Sequence, residues 1–168
     1  AFVGLVIIYV VFGCINDKVF SLQNNLNLLR SMAKYLLIGI GQSFVMITGN
    51  IDLSIGSVVG MSAMVTATLM TKGIPILFAL LVSLALGLLI GYLNGELVGK
   101  FQMPPFIATL GTMFVARGIA YLINGNRNTD NIAAVLGKAQ GDFFQNAFYY
   151  GKILGIYNTF WIALLVFL

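Results

Sequence analysis

The sequence predicts an all-α fold, a polytopic transmembrane helical bundle, and two observations carry that prediction. The first is composition: 60% of the 168 residues are hydrophobic and only 8% are charged, against about 25% charged in an ordinary soluble domain. Nine Lys and Arg with five Asp and Glu cannot clothe a soluble globule of this size, so lipid must face the remainder. The second is the length of the apolar runs, since a helix needs about 20 residues to cross the hydrocarbon core, with a range of roughly 17 to 25. Against that ruler the chain holds about six spans.

The first span, 1–15, is short, as expected if its start is cut. A polar connection, 16–31, carries Asp17, Lys18 and Arg30, and within it Leu22, Leu26 and Leu29 recur at helical spacing, which predicts a short interfacial helix. The apolar block 35–71 is too long for one span. It breaks at Thr48-Gly49-Asn50-Ile51-Asp52, where Gly and Asn permit a turn and Asp52 can cap a new helix, giving spans at 32–47 and 52–70. The fourth span, 74–98, is long enough to tilt. Pro104-Pro105 opens the fifth, 106–123, because proline suits a first helical turn. The segment 124–152, with Arg127, Asp130, Lys138, Asp142 and Lys152, is polar but has apolar pieces at 132–136 and 143–148, which suit a short helix at the interface. The last span, 153–168, is cut at Leu168, with Tyr157 and Trp161 as interface anchors. Both ends read as cut, so 1–168 is expected to be the N-terminal part of a single transmembrane domain.

The charge of +4 is dispersed as single Lys and Arg residues between apolar runs. That is the pattern of membrane-loop anchors and not of a nucleic-acid patch. One cysteine, Cys14, and no histidine exclude a disulfide framework, a Cys/His zinc site and histidine acid–base chemistry within these residues. An intramembrane enzyme is a poor reading for the same reason. The near-match to a phosphate-binding loop at Gly95-Glu96-Leu97-Val98-Gly99-Lys100-Phe101 is one residue short and lacks the Ser or Thr that holds magnesium. No catalytic, cofactor-binding or metal residue is expected.

Five residues are candidates for a translocation path or its gate: Asp52, Ser54, Asn94, Thr109 and Arg117. An acid at Asp52 between two apolar helices must face a cavity, an interface or a helix end, and helix capping with inter-helix anchoring is its plainest role. Asn94 and Glu96 accompany Gly87, Gly91, Gly95 and Gly99, a ridge of small residues that lets helix backbones approach closely. Arg117 sits eleven residues beyond Phe106, about 16 Å along the helix. At that depth it needs a long snorkel or a partner, with Glu96 or Asp52 as the choices. Thr109 and Thr112, with Gln42 and Ser43, add uncharged polar groups at depth. A path for a neutral polyhydroxylated solute needs such groups, and so does ordinary helix–helix adhesion.

The stretch Ile47-Thr48-Gly49-Asn50-Ile51-Asp52-Leu53-Ser54-Ile55-Gly56-Ser57 resembles the signature of the ribose/galactose/xylose-type ABC transporter permeases. Gly91-Tyr92-Leu93-Asn94-Gly95 and Pro104-Pro105-Phe106-Ile107-Ala108-Thr109-Leu110-Gly111-Thr112 resemble two further stretches of that family in the same order, and 24–30 resembles the entry to its second span. One departure is Asn50, where the family usually has glycine. The resemblance implies the membrane permease of a binding-protein-dependent importer for a monosaccharide, in the bacterial inner membrane. Its implied partners are a second permease subunit, cytoplasmic ABC ATPase subunits and an extracytoplasmic sugar-binding protein. It also implies that the loop docking the ATPase lies beyond Leu168. Other solutes for such an importer include nucleosides; an ion-coupled secondary transporter is the rival class, with Arg117 or Asp52 in a relay.

Orientation divides the two lines of reasoning. Connections of one parity hold Lys18, Arg30, Lys34, Lys72, Arg127, Lys138 and Lys152, the other parity Lys100 alone; positive-inside counting then puts the start of the first span outside. The resemblance implies a cytoplasmic start, and we take the family's orientation, because charges ahead of Ala1 would enter the count.

Overall fold

The computed structural model describes residues 2–127, 129, 132–135 and 138–167; Asp130 lies outside them. They are almost wholly helical and form two compact units: residues 1–40 with 145–168, and residues 41–144.

In the first unit, helix α1 (Phe2–Ile15) runs into a single 3-10 turn at Asp17–Phe20, whose N–H of Lys18 is taken by the Asn16 side chain. Phe20 folds back onto Gly13, the buried residue of α1, and stacks edge-on with Tyr9 at 5.4 Å. Helix α2 (Leu22–Ile47) follows. The expected interfacial helix and second span are therefore one element: after Ser21 no proline or glycine interrupts the helix before Gly39, so its Asn-rich start and apolar remainder continue without a break. Tyr9 Oη donates to Asn25 Oδ1 at 2.6 Å and ties α1 to that start.

The same unit holds a π-turn at Asn146–Tyr150, a two-residue hairpin of β1 (Lys152–Ile153) and β2 (Ile156–Tyr157), and helix α8 (Asn158–Phe167). The hairpin turns at Leu154 and Gly155, both with positive φ. Tyr157, expected at a lipid interface, is buried: Gln23 Nε2 donates to its hydroxyl at 3.0 Å and the Arg30 guanidinium lies 4.5 Å over its ring. Arg30 also lies 4.2 Å over Tyr149, so two rings share one cation. Trp161 Nε1 donates to Ile153 O at 3.0 Å. Cys14 is exposed.

The second unit is built on helix α3 (Ile55–Thr71), which packs against both α4 (Ile76–Gly99) and α5 (Pro105–Ile123). Four of its five buried residues, Ser57, Met61, Val65 and Thr68, recur at three and four positions, the stripe a 3.6-residue repeat lays on one face; the fifth, Met70, lies near its end. Met61 and Val65 form a core with Ile90 of α4 and Ala116 of α5. As expected, Pro105 is the first residue of α5. The α3–α4 turn closes on Gly73 at φ +83°. Beyond α5 lie the short helices α6 (Ile132–Val135) and α7 (Lys138–Gln145), two where the sequence suggested one; α6 falls on the apolar piece 132–136, while α7 starts five residues ahead of the piece 143–148.

Helices α4 and α5 are each long and apolar enough to cross a membrane, and α1 and α3 are shorter apolar helices. The glycine ridge of α4 behaves differently from expectation. A methyl group on Gly87 would just reach Val58, at 4.0 Å, whereas one on Gly91, Gly95 or Gly99 would meet nothing within 4 Å. The helix itself explains this. Each step of four residues overshoots a full turn by about 40°, so the row leaves the face marked by Ser83, Ile90 and Asn94 as it runs toward Gly99.

Candidate functional site

The site begins where α2 stops. Gly49 has φ +76°, and its N–H bonds Met46 O at 2.9 Å while Asn50 N–H bonds Val45 O at 3.3 Å. These are the two bonds of a Schellman cap, which needs a left-handed residue that glycine supplies without strain. Asn50 is not the left-handed residue, so its replacement of the family's glycine leaves the turn's backbone unstrained. Its amide instead donates to Thr48 Oγ1 at 2.8 Å.

Helix α3 starts at Ile55, later than the sequence suggested. Asp52 lies two residues ahead of the N-cap Ser54, and its Oδ1 accepts both the N–H of Ser54 at 2.7 Å and the Ser54 hydroxyl at 2.6 Å. The carboxylate thus closes a local turn instead of capping the helix directly, and it lies by the positive end of the α3 dipole. Ser54 makes no side-chain cap bond of its own; its Oγ accepts from the Asn94 amide instead.

Residues 48–54 are recessed along the neighbouring helices. Thr109, four residues into α5, approaches Ile51 O at 3.4 Å as well as Pro105 O at 2.8 Å. Asn94, five residues before the end of α4, donates its amide to Ser54 Oγ at 3.0 Å. At 1.5 Å per residue both lie about 6–8 Å inside their helix ends. Non-helical backbone at such depth must find partners in the protein. The network meets that need: Thr112 donates to Asn94 Oδ1 at 2.8 Å, Asn94 to Ser54, Ser54 to Asp52. Ser54, Asn94 and Thr109 are 1%, 7% and 4% exposed. Beside the network opens a pocket of about 330 Å³ bordered by Asn50, Asp52, Asn94 and Thr109, with Phe44 and Val98 among its apolar walls.

Four of the five candidates therefore converge. Arg117 does not join them, nor does it pair with Glu96, which sits 3.4 Å from Lys100. Its Nε donates to Ser57 Oγ at 3.1 Å, in a second cleft of about 340 Å³ between α3 and α5 that shares no wall residue with the first. Sequence reasoning did not single out Ser57 and gave Thr112 only a general polar role. Helical spacing carries the missing signal: Ser57 stands one turn past Ser54, and Thr112 one turn past Thr109. Gln42, grouped with the polar residues at depth, buries its Oε1 without a hydrogen-bond partner. Among the described residues no group of three or more His, Cys, Asp or Glu could hold a metal.

Comparison with known proteins matches residues 24–168 to the model of a family described as branched-chain amino acid transport system / permease component. The chain is 33% identical over 167 residues to the ribose import permease protein of Haemophilus influenzae, covering 99% of this chain and 50% of that one. It is 38% identical over 141 residues to the fructose import permease protein of Bifidobacterium longum, covering 84% and 38%. To the autoinducer 2 import system permease protein of Salmonella typhi it is 33% identical over 144 residues, covering 86% and 42%. The chain thus spans half or less of the length of these relatives. No solved structure matches it significantly.

Proposed function

The chain belongs to the family of transport-system permease components, and from that premise we propose that it is part of the membrane permease subunit of an ATP-driven importer for a monosaccharide. The family description mentions branched-chain amino acids, but the relatives named above import ribose, fructose and autoinducer 2, and the chemistry of the site favours them. The observation that carries the reading is the pocket beside Asp52, Asn94 and Thr109. Its polar groups are a carboxylate, amides and hydroxyls, able both to donate and to accept, recessed beside two helices apolar enough to span a bilayer. A neutral polyhydroxylated solute matches that inventory. An amino-acid zwitterion would ask for a paired cation and anion at one place, and Arg117 opens on the other cleft.

In this reading the chain is multi-pass in a bacterial inner membrane, with about six spans in these residues and a cytoplasmic start. The contact of Gln23 and Arg30 with Tyr157 supports placing the first and fifth connections on one side. A second permease subunit, cytoplasmic ATPase subunits and an extracytoplasmic sugar-binding protein complete the machine, and ATP hydrolysis belongs to the separate subunit. ATP binding there changes which side of the bundle is open. Asp52, Ser54, Asn94 and Thr109 hold the break between α2 and α3, where such a movement can be gated, while weak polar contacts let solute pass.

The test is purification of the full-length protein from native membranes with whatever subunits accompany it. A copurifying ATPase stimulated by a sugar-loaded binding protein bears the proposal out. A protein that purifies alone and moves solute without ATP overturns it in favour of an ion-coupled transporter.

A further inference from the structure

Arg117 is twelve residues into α5, about 18 Å along a helix that can span a membrane, and its bond to Ser57 is its one hydrogen bond among the described residues. No carboxylate among them forms an ion pair with it. A guanidinium carries five N–H donors and no acceptor, so four donors remain, at a depth where a charge persists only against a partner or a water-filled cavity. A cavity is what adjoins it. One wall is made by Gly56 and Gly60, where a methyl group would meet nothing within 4 Å. Met64 and Met113 line it with apolar surface, and Tyr121 adds an aromatic ring.

We propose that this cleft between α3 and α5 is a solute subsite, in which Arg117 donates to adjacent oxygens of a neutral polyhydroxylated solute passing over the Gly56–Gly60 wall. The inference rests on the importer reading and adds to it a second contact point, in a cleft that shares no wall residue with the Asp52 pocket. The two sites are chemically complementary. The Asp52 side is rich in acceptors and the Arg117 side in donors, so a ring bearing hydroxyls, each both donor and acceptor, can be handed from one to the other. The forked donors of Arg suit two neighbouring oxygens better than a point charge does. A neutral ligand also leaves easily, whereas an anion facing this guanidinium would be held at depth.

The experiment uses the full-length permease in its assembled complex, reconstituted in liposomes, with Cys14→Ser and every other cysteine removed. Gly60→Cys is then introduced, and Met64→Cys as a second position should the first fail to assemble. A charged methanethiosulfonate reagent is applied with and without 100 mM D-ribose or D-fructose, or sodium sulfate at matched osmolarity. Labelling that either sugar slows at least threefold and sulfate does not, with the protection lost in Arg117→Gln and partly kept in Arg117→Lys, is the expected result. Protection by sulfate alone would make the cleft an anion site and overturn the proposal. So would a cysteine that no reagent reaches, which would mean another helix covers the cleft. Labelling indifferent to sugar in a complex that imports sugar overturns the subsite alone, while absence of a copurifying ATPase overturns the importer reading independently.

Discussion

Asn94 reaches across forty residues of sequence to donate its amide to Ser54 Oγ at 3.0 Å, and its carbonyl accepts the Thr112 hydroxyl at 2.8 Å. One side chain of α4 therefore ties the start of α3 to α5. Asn94→Ala removes both bonds, and the Ser54 and Thr112 hydroxyls keep only local partners. Exchanges of this kind cost about 1 kcal/mol, and somewhat less per bond inside membrane proteins. The melting temperature of the purified complex in detergent should fall by about 2–4 °C. An unchanged value would mean that the bridge carries no stability.

Asp52 separates charge from acceptor. Asn in its place can still accept from the N–H and hydroxyl of Ser54 through its side-chain carbonyl, while Ala cannot. Asp52→Asn is expected to retain most import activity and Asp52→Ala to lose at least tenfold, measured as sugar uptake into proteoliposomes. Equal loss in both would show that the negative charge, not the turn, is what matters.

Gly49 tests the cap. Alanine at φ +76° is strained by about 1 kcal/mol and a β-branched residue by more, whereas Asn tolerates the left-handed region. Thermal stability should rank Gly49 first, then Asn, Ala and Val.

Gly13 is a size test. A side chain there would overlap the ring of Phe20, so Gly13→Leu should destabilise by about 1–3 kcal/mol. Phe20→Ala should restore part of that loss in a double-mutant cycle. Additive effects would show that the two residues do not touch.

Arg30 lies over the rings of both Tyr149 and Tyr157. Each contact is worth about 0.5–1 kcal/mol when exposed. In Arg30→Ala, amide exchange across residues 152–157 should quicken by about 5-fold or more.

Much of this architecture is legible in the sequence because apolar length and punctuation are local signals. Gly49 ended one helix and Pro105 began another where the residues said they would. What sequence does not reveal is which polar group meets which. Charge alone pairs Arg117 with an acid, but Glu96 has Lys100 one turn away and Asp52 is spent on Ser54. A hydroxyl at Ser57, brought near only by the packing of α3 on α5, took the place of both. The β1–β2 hairpin was also invisible, being two residues per strand with no alternation to read. The glycine row of α4 could be seen, but its drift around the helix decides which members find a neighbour.

The hydrogens of the Thr112–Asn94–Ser54–Asp52 chain all point the same way, each group giving to the next until the carboxylate takes the last. Passing a proton along that row would require the amide of Asn94 to give up one of its own protons and its carbonyl to gain one, a tautomer of very high energy. The chain is thus a one-way row of dipoles with an insulating member in the middle. A polar seam of this make can sit deep in an energised membrane and stay closed to protons, since they have no relay along which to hop.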